Sequence, residues 1–154
     1  MTENQAGRGL TQIGADESKN NPRFSAFLRV QTAQHLDALI AFVIALASLL
    51  LYLRTLAPDV VDADGGEFQF AAWNFSFVHP TGYPLFLILG GAFQHLVPFG
   101  NPAYRLNLFT AITAALAVAA VYFAAHEVTR QRGAAIIAAA SFALTRTFWF
   151  DASA

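Results

Sequence analysis

The sequence contains no cysteine among its 154 residues, and only 12% of its residues are charged. Without cysteine, a disulfide framework and a cysteine-ligated metal site are both excluded. A soluble domain usually carries about 25% charged residues, so this low share argues against an ordinary soluble domain. The net charge of −1 also provides no basic surface for nucleic acid, and no nucleic-acid partner is expected.

Hydrophobic residues, in contrast, make up 56% of the chain, and the mean hydropathy is +0.45. These values are typical of a membrane protein, so the predicted class is an all-α integral membrane protein with the lipid bilayer as a partner. The first 22 residues are polar and show no apolar periodicity. They predict a disordered cytoplasmic tail, which we place over residues 1–30.

Three long apolar runs predict transmembrane helices at residues 37–57, 105–128 and 133–150. Each run approaches or exceeds the ~20 residues that cross a bilayer. Pro58 ends the first helix, because proline cannot continue the backbone hydrogen bonding. A buried core helix is the alternative for the first run, but the two further runs of the same kind favour a membrane.

The outer loop at residues 58–104 predicts two short helices. Apolar residues recur with helical spacing from Glu67 to about Asn74. A second helix is predicted from Leu85 to Leu96, with Pro84 in its first turn. It is too short to span lipid comfortably, so we expect a helix at the membrane interface. A short, tilted transmembrane helix is the alternative.

Positive charge in the short connections predicts the orientation. Five basic residues lie on the side of the N-terminus and three on the other side. This bias places the N-terminus in the cytoplasm and the loop at residues 58–104 outside, in the cell membrane. The sequence ends close to a predicted helix, so we expect the N-terminal part of a longer multi-spanning protein.

Four carboxylates cluster at the start of this loop: Asp59, Asp62, Asp64 and Glu67. One interpretation is a capping box, in which Asp64 caps a helix and Glu67 returns to its backbone N–H. The other is a reactive site, because a cap needs one acid and Gly65-Gly66 leaves the backbone open to a substrate. A carboxylate in a partly dry pocket has a raised pKa and can serve as a general base.

A metal site is a third interpretation of the same residues. Asp62, Asp64, Glu67 and His79 provide oxygen and nitrogen donors of a suitable type. Their spacing matches no metal-binding loop of known geometry, so neither a metal nor another cofactor is predicted, although a divalent ion is not excluded. His79 is equally consistent with a turn histidine that has a backbone partner.

Two motifs give the chain a family resemblance. Residues 64–68 read Asp-Gly-Gly-Glu-Phe, and residues 79–86 read His-Pro-Thr-Gly-Tyr-Pro-Leu-Phe. With their surrounding hydropathy they resemble the N-terminal module of GT-C glycosyltransferases, in the branch related to protein O-mannosyltransferases. Thr81 stands where that branch often has proline. Residues 104–108 and 148–150 are similar to its next two span boundaries.

The resemblance implies transfer of a sugar, with mannose as the candidate, from a polyprenyl-phosphate carrier to a hydroxyl of an acceptor protein or glycan. Asp64 is then the candidate catalytic base, and Glu67 orients Asp64 or the acceptor. The candidate substrate-binding residues are Asp62, His79, Tyr83 and Arg105. Arg105 is also consistent with an anchor for its own helix, and this chain alone is expected to be inactive.

Two other functions fit parts of the pattern. A transporter component would use the acidic loop to attract cations, but the predicted spans carry no central carboxylate and no break at the membrane midplane. A membrane scaffold without activity would need the acidic loop only as a helix cap.

Overall fold

The computed structural model describes residues 22–62 and 64–153, and it describes side chains from residue 31 onward. Within these residues all regular secondary structure is helical, and no strand is present. The helices are α1 (Pro22–Thr55), α2 (Asp64–Trp73), α3 (Pro84–Leu96), α4 (Pro102–Thr129), α5 (Arg132–Ala143) and α6 (Arg146–Ser153). The chain divides into two compact units at Ile40 and Ala41, and every tertiary contact described below lies in the second unit.

Helix α1 begins earlier than the sequence predicted. The predicted disordered tail extended to residue 30, whereas residues 22–30 are helical, and residues 1–21 lie outside the described part. Pro22 suits the first turn because its fixed φ is helical and its missing N–H would have no partner there. Residues 23–30 then contain no glycine or proline that would interrupt the helix.

Two helices in the described structure are long and apolar enough to cross a membrane, Gln31–Thr55 and Pro102–Thr129. Along α1, large apolar side chains such as Phe42, Val43 and Leu50 are exposed, as lipid-facing residues would be. Helix α4 begins three residues before the predicted span. Its cap explains the difference, because Asn101 Oδ1 accepts a hydrogen bond from the Tyr104 N–H at 2.7 Å.

The predicted span at residues 133–150 is not one straight helix. Helices α5 and α6 meet at Leu144 and Thr145 with a bend of 62°, so the pair counts as a third crossing only as a broken span. No proline or glycine occurs at the bend. Instead, the hydroxyl of buried Tyr52 donates to the carbonyl of Ala143 at 3.0 Å, a group that the end of a helix leaves without an intrahelical partner.

Both short helices predicted in the loop are present. Helix α3 matches its predicted start at Pro84, and α2 begins at Asp64, three residues before the predicted Glu67. The two pack closely at Gly91, where a Cβ atom would stand 2.3 Å from the Ala72 carbonyl oxygen. Ala71, Ala72, Val78, Leu87 and Leu106 form the core that joins α2 and α3 to α4.

A second buried core joins α1, α4 and α6. Tyr52 of α1, Ala111 and Ala114 of α4 and Ala152 of α6 are buried together. Small residues at these positions allow the helix backbones to approach closely, as is usual for packed membrane helices. The end of α1, helix α4 and the end of α6 therefore pack together.

Candidate functional site

The four carboxylates of the acidic stretch have two different surroundings. Asp59 is used structurally, because its Oδ1 accepts hydrogen bonds from the Val60 N–H at 2.8 Å and from Asn101 Nδ2 at 3.2 Å. Glu67 is paired with His79. Asp62 and Asp64 make no side-chain hydrogen bond or ion pair with the described part of the chain, and both are exposed. These two acids are therefore available to a ligand.

Glu67 holds His79 rather than capping its own helix. Its Oε1 accepts a hydrogen bond from the His79 backbone N–H at 2.9 Å, and its Oε2 lies 2.8 Å from His79 Nδ1. The predicted capping box, with Glu67 returning to Asp64, is therefore not formed. The pair instead fixes the loop after α2 to the first turn of that helix.

This pairing shifts the pKa values of both groups in opposite directions. The hydrogen bonds from the His79 ring and backbone lower the pKa of the Glu67 carboxyl. The same ring contact raises the pKa of His79, and the charges of Glu67 and Asp64 contribute in the same direction. Each partner thus favours the charged form of the other.

Aromatic packing holds the rest of the second motif against α2. The ring of Phe68 makes edge contacts with the rings of His79, Tyr83 and Phe86, at centroid distances of 5.9, 5.1 and 5.8 Å. Such edge-to-face pairs are favourable because the positive edge of one ring meets the negative face of another. The two sequence motifs therefore form one structural unit.

The two glycines of the acidic stretch have a different role from the predicted one. A Cβ atom on Gly65 would stand 2.2 Å from a methyl group of Val61, and one on Gly66 would stand 2.7 Å from the Val61 carbonyl oxygen. The chain itself occupies the space that the missing side chains leave. These glycines thus allow the loop before α2 to fold back onto the helix.

Asp62 and Asp64 line an open cavity of about 940 Å³ between the loop and helices α1, α2, α4 and α6. Tyr83 lines it as well, so three of the six predicted site residues meet there. The remaining described wall combines apolar and polar residues: Thr55, Ala57, Val60, Val61, Gly65, Phe68, Gln69, Phe86, Leu106, Asn107, Thr110, Phe150, Asp151 and Ser153. A cavity of this size and mixed lining is typical of a small-molecule site.

A buried amide pair supports one wall of this cavity. Gln69 Nε2 donates to Asn107 Oδ1 at 2.6 Å, and Asn107 Nδ2 donates to the carbonyls of Ala57 and Asp59 at 2.9 and 3.3 Å. Gln69 Oε1 accepts from the Val61 N–H at 3.3 Å. The pair thereby fixes the segment that leads to Asp62.

Arg105 lies elsewhere. Its guanidinium donates to the carbonyls of Gln94, Phe99 and Gly100 at 2.8 to 3.2 Å. It thus ties the end of α3 and the following turn to α4, and it is not among the described residues that line the cavity. This geometry agrees with the anchoring interpretation of Arg105.

Asp64, Glu67 and His79 are the described residues best placed to hold a metal ion. One ligand atom from each lies within 4.8 Å of the others. Carboxylate and imidazole donors suit several divalent ions. All three residues are exposed, however, and Glu67 and His79 already bind each other. The cluster is therefore satisfied in large part without an ion.

The cavity also includes Asp151, which sequence analysis did not select. It lies on α6, far along the chain from the acidic stretch, and the bend before α6 is needed to bring it there. A single sequence offers only a weak signal for it, namely an acid directly after the aromatic run at residues 148–150.

Comparison with known sequences shows which family the chain resembles. The profile of a family described as the N-terminal domain of protein O-mannosyl-transferase TMEM260 matches residues 64–154. The mouse protein O-mannosyl-transferase TMEM260 is 33% identical over 99 residues, which cover 64% of this chain and 14% of the mouse protein. Its Dictyostelium discoideum counterpart is 26% identical over 102 residues, which cover 65% and 12%.

No solved structure matches the chain. The chain aligns with only about an eighth of the length of these two relatives. The matched region begins at Asp64, the first residue of α2, and includes both motifs and the whole of α3 to α6.

Proposed function

Because this chain belongs to the family of the protein O-mannosyl-transferase TMEM260 N-terminal domain, we propose that it forms part of a membrane glycosyltransferase. The enzyme transfers mannose from a polyprenyl-phosphate carrier to a hydroxyl group of an acceptor protein. The helices of this chain are the first module of a GT-C arrangement, with α2 and α3 at the membrane interface. The acidic stretch lies outside the membrane, opposite the N-terminus.

The observation that carries this proposal is the position of Asp64. Its carboxylate lies at the wall of a 940 Å³ cavity and has no hydrogen-bond partner in the described part of the chain. It is also the first residue of α2, and the positive end of a helix dipole stabilises a carboxylate there. The Asp64 carboxyl group is therefore free of protein partners and open to a ligand of the cavity.

In the proposed reaction, Asp64 takes the proton of the acceptor hydroxyl as the hydroxyl oxygen attacks the anomeric carbon of mannose. The bond between that carbon and the phosphate oxygen breaks, and the polyprenyl phosphate leaves with the bonding electron pair. A single displacement of this kind inverts the anomeric configuration. General base catalysis of this type contributes about 10²–10⁴-fold to a rate.

The other predicted site residues have supporting roles. Glu67 fixes His79, and a ring nitrogen of His79 lies within 4.8 Å of an Asp64 carboxylate oxygen, so the pair forms part of the surroundings of the catalytic carboxylate. Asp62 and Tyr83 contact substrate from the cavity wall. Arg105 maintains the turn between α3 and α4. The reaction as proposed does not require a metal ion.

The proposal is tested with the purified full-length protein and a peptide that contains serine and threonine. We expect mannose transfer from polyprenyl-phosphate mannose and none from a sugar nucleotide. The product linkage, determined by NMR, should be inverted relative to the carrier linkage. Transfer from the nucleotide alone would refute the proposed donor, and a retained configuration would refute the single displacement.

A further inference from the structure

One carboxylate of the cavity has no role in the chemistry described so far. We propose that Asp151 is a substrate-contacting residue, which binds hydroxyl groups of the sugar from the wall formed by α6. The identity of the ligand as a sugar depends on the proposed function. The placement of the carboxylate in the cavity does not depend on it.

The position of α6 is fixed by contacts with the segment that precedes the acidic stretch. The Ala57 N–H donates to the Ser153 carbonyl at 2.8 Å, and Trp149 Nε1 donates to Thr55 Oγ1 at 2.9 Å. These bonds attach the middle and the end of α6 to the end of α1 and the residues directly after it. Asp151 lies between the two attachment points, so its backbone is held at the cavity.

Asp151 contributes nothing visible to the stability of its own helix. Its side chain makes no hydrogen bond or ion pair with the residues that the structure describes. An exposed acid in such a position has no structural partner, and a ligand of the cavity can provide one.

The charges in the cavity indicate which part of a substrate it takes. Asp62, Asp64 and Asp151 provide three carboxylates, and the described wall contains no lysine, arginine or histidine. Such a wall disfavours a phosphate group, because like charges repel at short range. Ionised carboxylates are acceptors only, and they form strong hydrogen bonds with hydroxyl donors.

The remaining wall also suits a sugar. Gln69 and Asn107 add amide groups, and the aromatic rings of Phe68, Tyr83 and Phe86 provide apolar surface. A sugar ring presents hydroxyl groups at its edge and C–H groups on its faces, and both kinds of surface are matched here. The cavity therefore suits the sugar better than the phosphate of the carrier.

The test measures binding of methyl α-mannopyranoside to the full-length protein by saturation-transfer NMR, with a titration for the dissociation constant. Asp151→Asn keeps the size of the side chain and removes its charge. We expect it to weaken binding about tenfold or more, because hydrogen bonds to charged groups are the stronger class. Glu127→Gln removes a carboxylate at the far end of α4 and should leave the dissociation constant unchanged. Asp151→Glu, which keeps the charge, should restore part of the affinity.

Each outcome separates this inference from the proposed function. Equal mannoside binding by wild type and Asp151→Asn, or no binding by the wild type, overturns the inference even if mannose transfer is observed. Loss of mannoside binding in Asp151→Asn supports it, even if the wild-type protein fails to use the proposed carrier. Displacement of bound mannoside by inorganic phosphate would also overturn it, because it would place a phosphate group within the acidic wall.

Discussion

Glu67 binds His79 through both of its carboxylate oxygens, one on the backbone N–H and one on the ring nitrogen Nδ1. The two residues are twelve positions apart in the sequence and belong to different motifs. Their contact brings the acidic stretch and the His-Pro-Thr-Gly-Tyr-Pro turn into one unit, and it leaves Asp64 as the unpaired acid of the first turn of α2. The following predictions depend on this arrangement and on the cavity beside it.

The His79 ring should titrate at a higher pH than an ordinary histidine. Its pKa is raised above 6.5 by the hydrogen bond with Glu67 and, to a smaller extent, by the charges of Glu67 and Asp64. NMR titration of histidine-labelled protein should show this, and Glu67→Gln should lower the midpoint towards 6.5. Glu127→Gln should not move it. A His79 midpoint that is the same in wild type and Glu67→Gln would contradict the pairing.

The same contact predicts how stability depends on pH. The contribution of Glu67 is present above its ordinary pKa of 4.5 and is lost as the pH falls through its lowered folded value. The contribution of His79 is complete below 6.5 and is lost as the pH rises through its raised folded value. The stability lost in Glu67→Gln should therefore be largest between pH 4.5 and pH 6.5, where Glu67 is ionised and His79 is protonated. Added salt should reduce this loss.

Gly91 should not tolerate a side chain. A Cβ atom there would stand 2.3 Å from the Ala72 carbonyl oxygen, so α2 and α3 would have to separate. We expect Gly91→Ala to lower the free energy of unfolding by about 1–3 kcal/mol, the usual cost of overpacking. Thermal unfolding in detergent measures this.

Gly133→Ala is the matched control for this substitution. Gly133 is also helical, and a Cβ atom there would meet nothing within 4 Å. The change should be neutral or stabilise by up to about 1 kcal/mol, because alanine favours the helix. Equal effects of the two substitutions would show that α2 and α3 do not approach as closely as described.

The buried amide pair should behave as one unit. Asn107→Leu removes the donor to the Ala57 and Asp59 carbonyls and leaves Gln69 Nε2 without its acceptor. We expect a loss of about 1–3 kcal/mol, the cost of unsatisfied buried groups. Gln69→Leu should also destabilise, and the double variant should lose less than the sum of the two. Additive losses would indicate that the two amides do not interact.

The orientation can be tested with single cysteines, because the chain itself has none. Phe77 lies in the loop between α2 and α3 and is 93% exposed, and Gln131 lies in the exposed turn between α4 and α5. In a full-length background without other cysteines, a membrane-impermeant maleimide on intact cells should label Phe77→Cys. Gln131→Cys should react only after the cells are permeabilised. The reverse pattern would refute the proposed orientation.

Local sequence signals predicted most of the helices. Pro58, Pro84 and the apolar runs placed the C-terminal end of α1 and the start of α3 closely. The bend between α5 and α6 could not be predicted in this way, because the run is apolar and has no proline or glycine near Leu144 and Thr145. It is accompanied by long-range bonds, such as the one from the Tyr52 hydroxyl to the Ala143 carbonyl, which a single sequence does not reveal.

The candidate site was predictable only in part, for the same reason. The clustering of acids identified Asp62 and Asp64, both of which line the cavity. The spacing of Asp64 and Glu67 suggested a cap, but His79 competes for Glu67 and binds it at both oxygens. Asp151 lines the cavity because the chain bends between α5 and α6, so no local sequence pattern connects it with the acidic stretch. The type of reaction was inferred from the family resemblance, because neither the charges nor the residue spacing of the acidic stretch specified it.

The central claim is that Asp64 is the general base. The most direct measurement is the turnover number of mannose transfer from polyprenyl-phosphate mannose by the full-length protein, compared between wild type and Asp64→Asn, with Glu127→Gln as the control. We expect a fall of about 10²–10⁴-fold for Asp64→Asn at unchanged thermal stability, and no change for the control. Turnover by Asp64→Asn within a few fold of the wild-type value would contradict it.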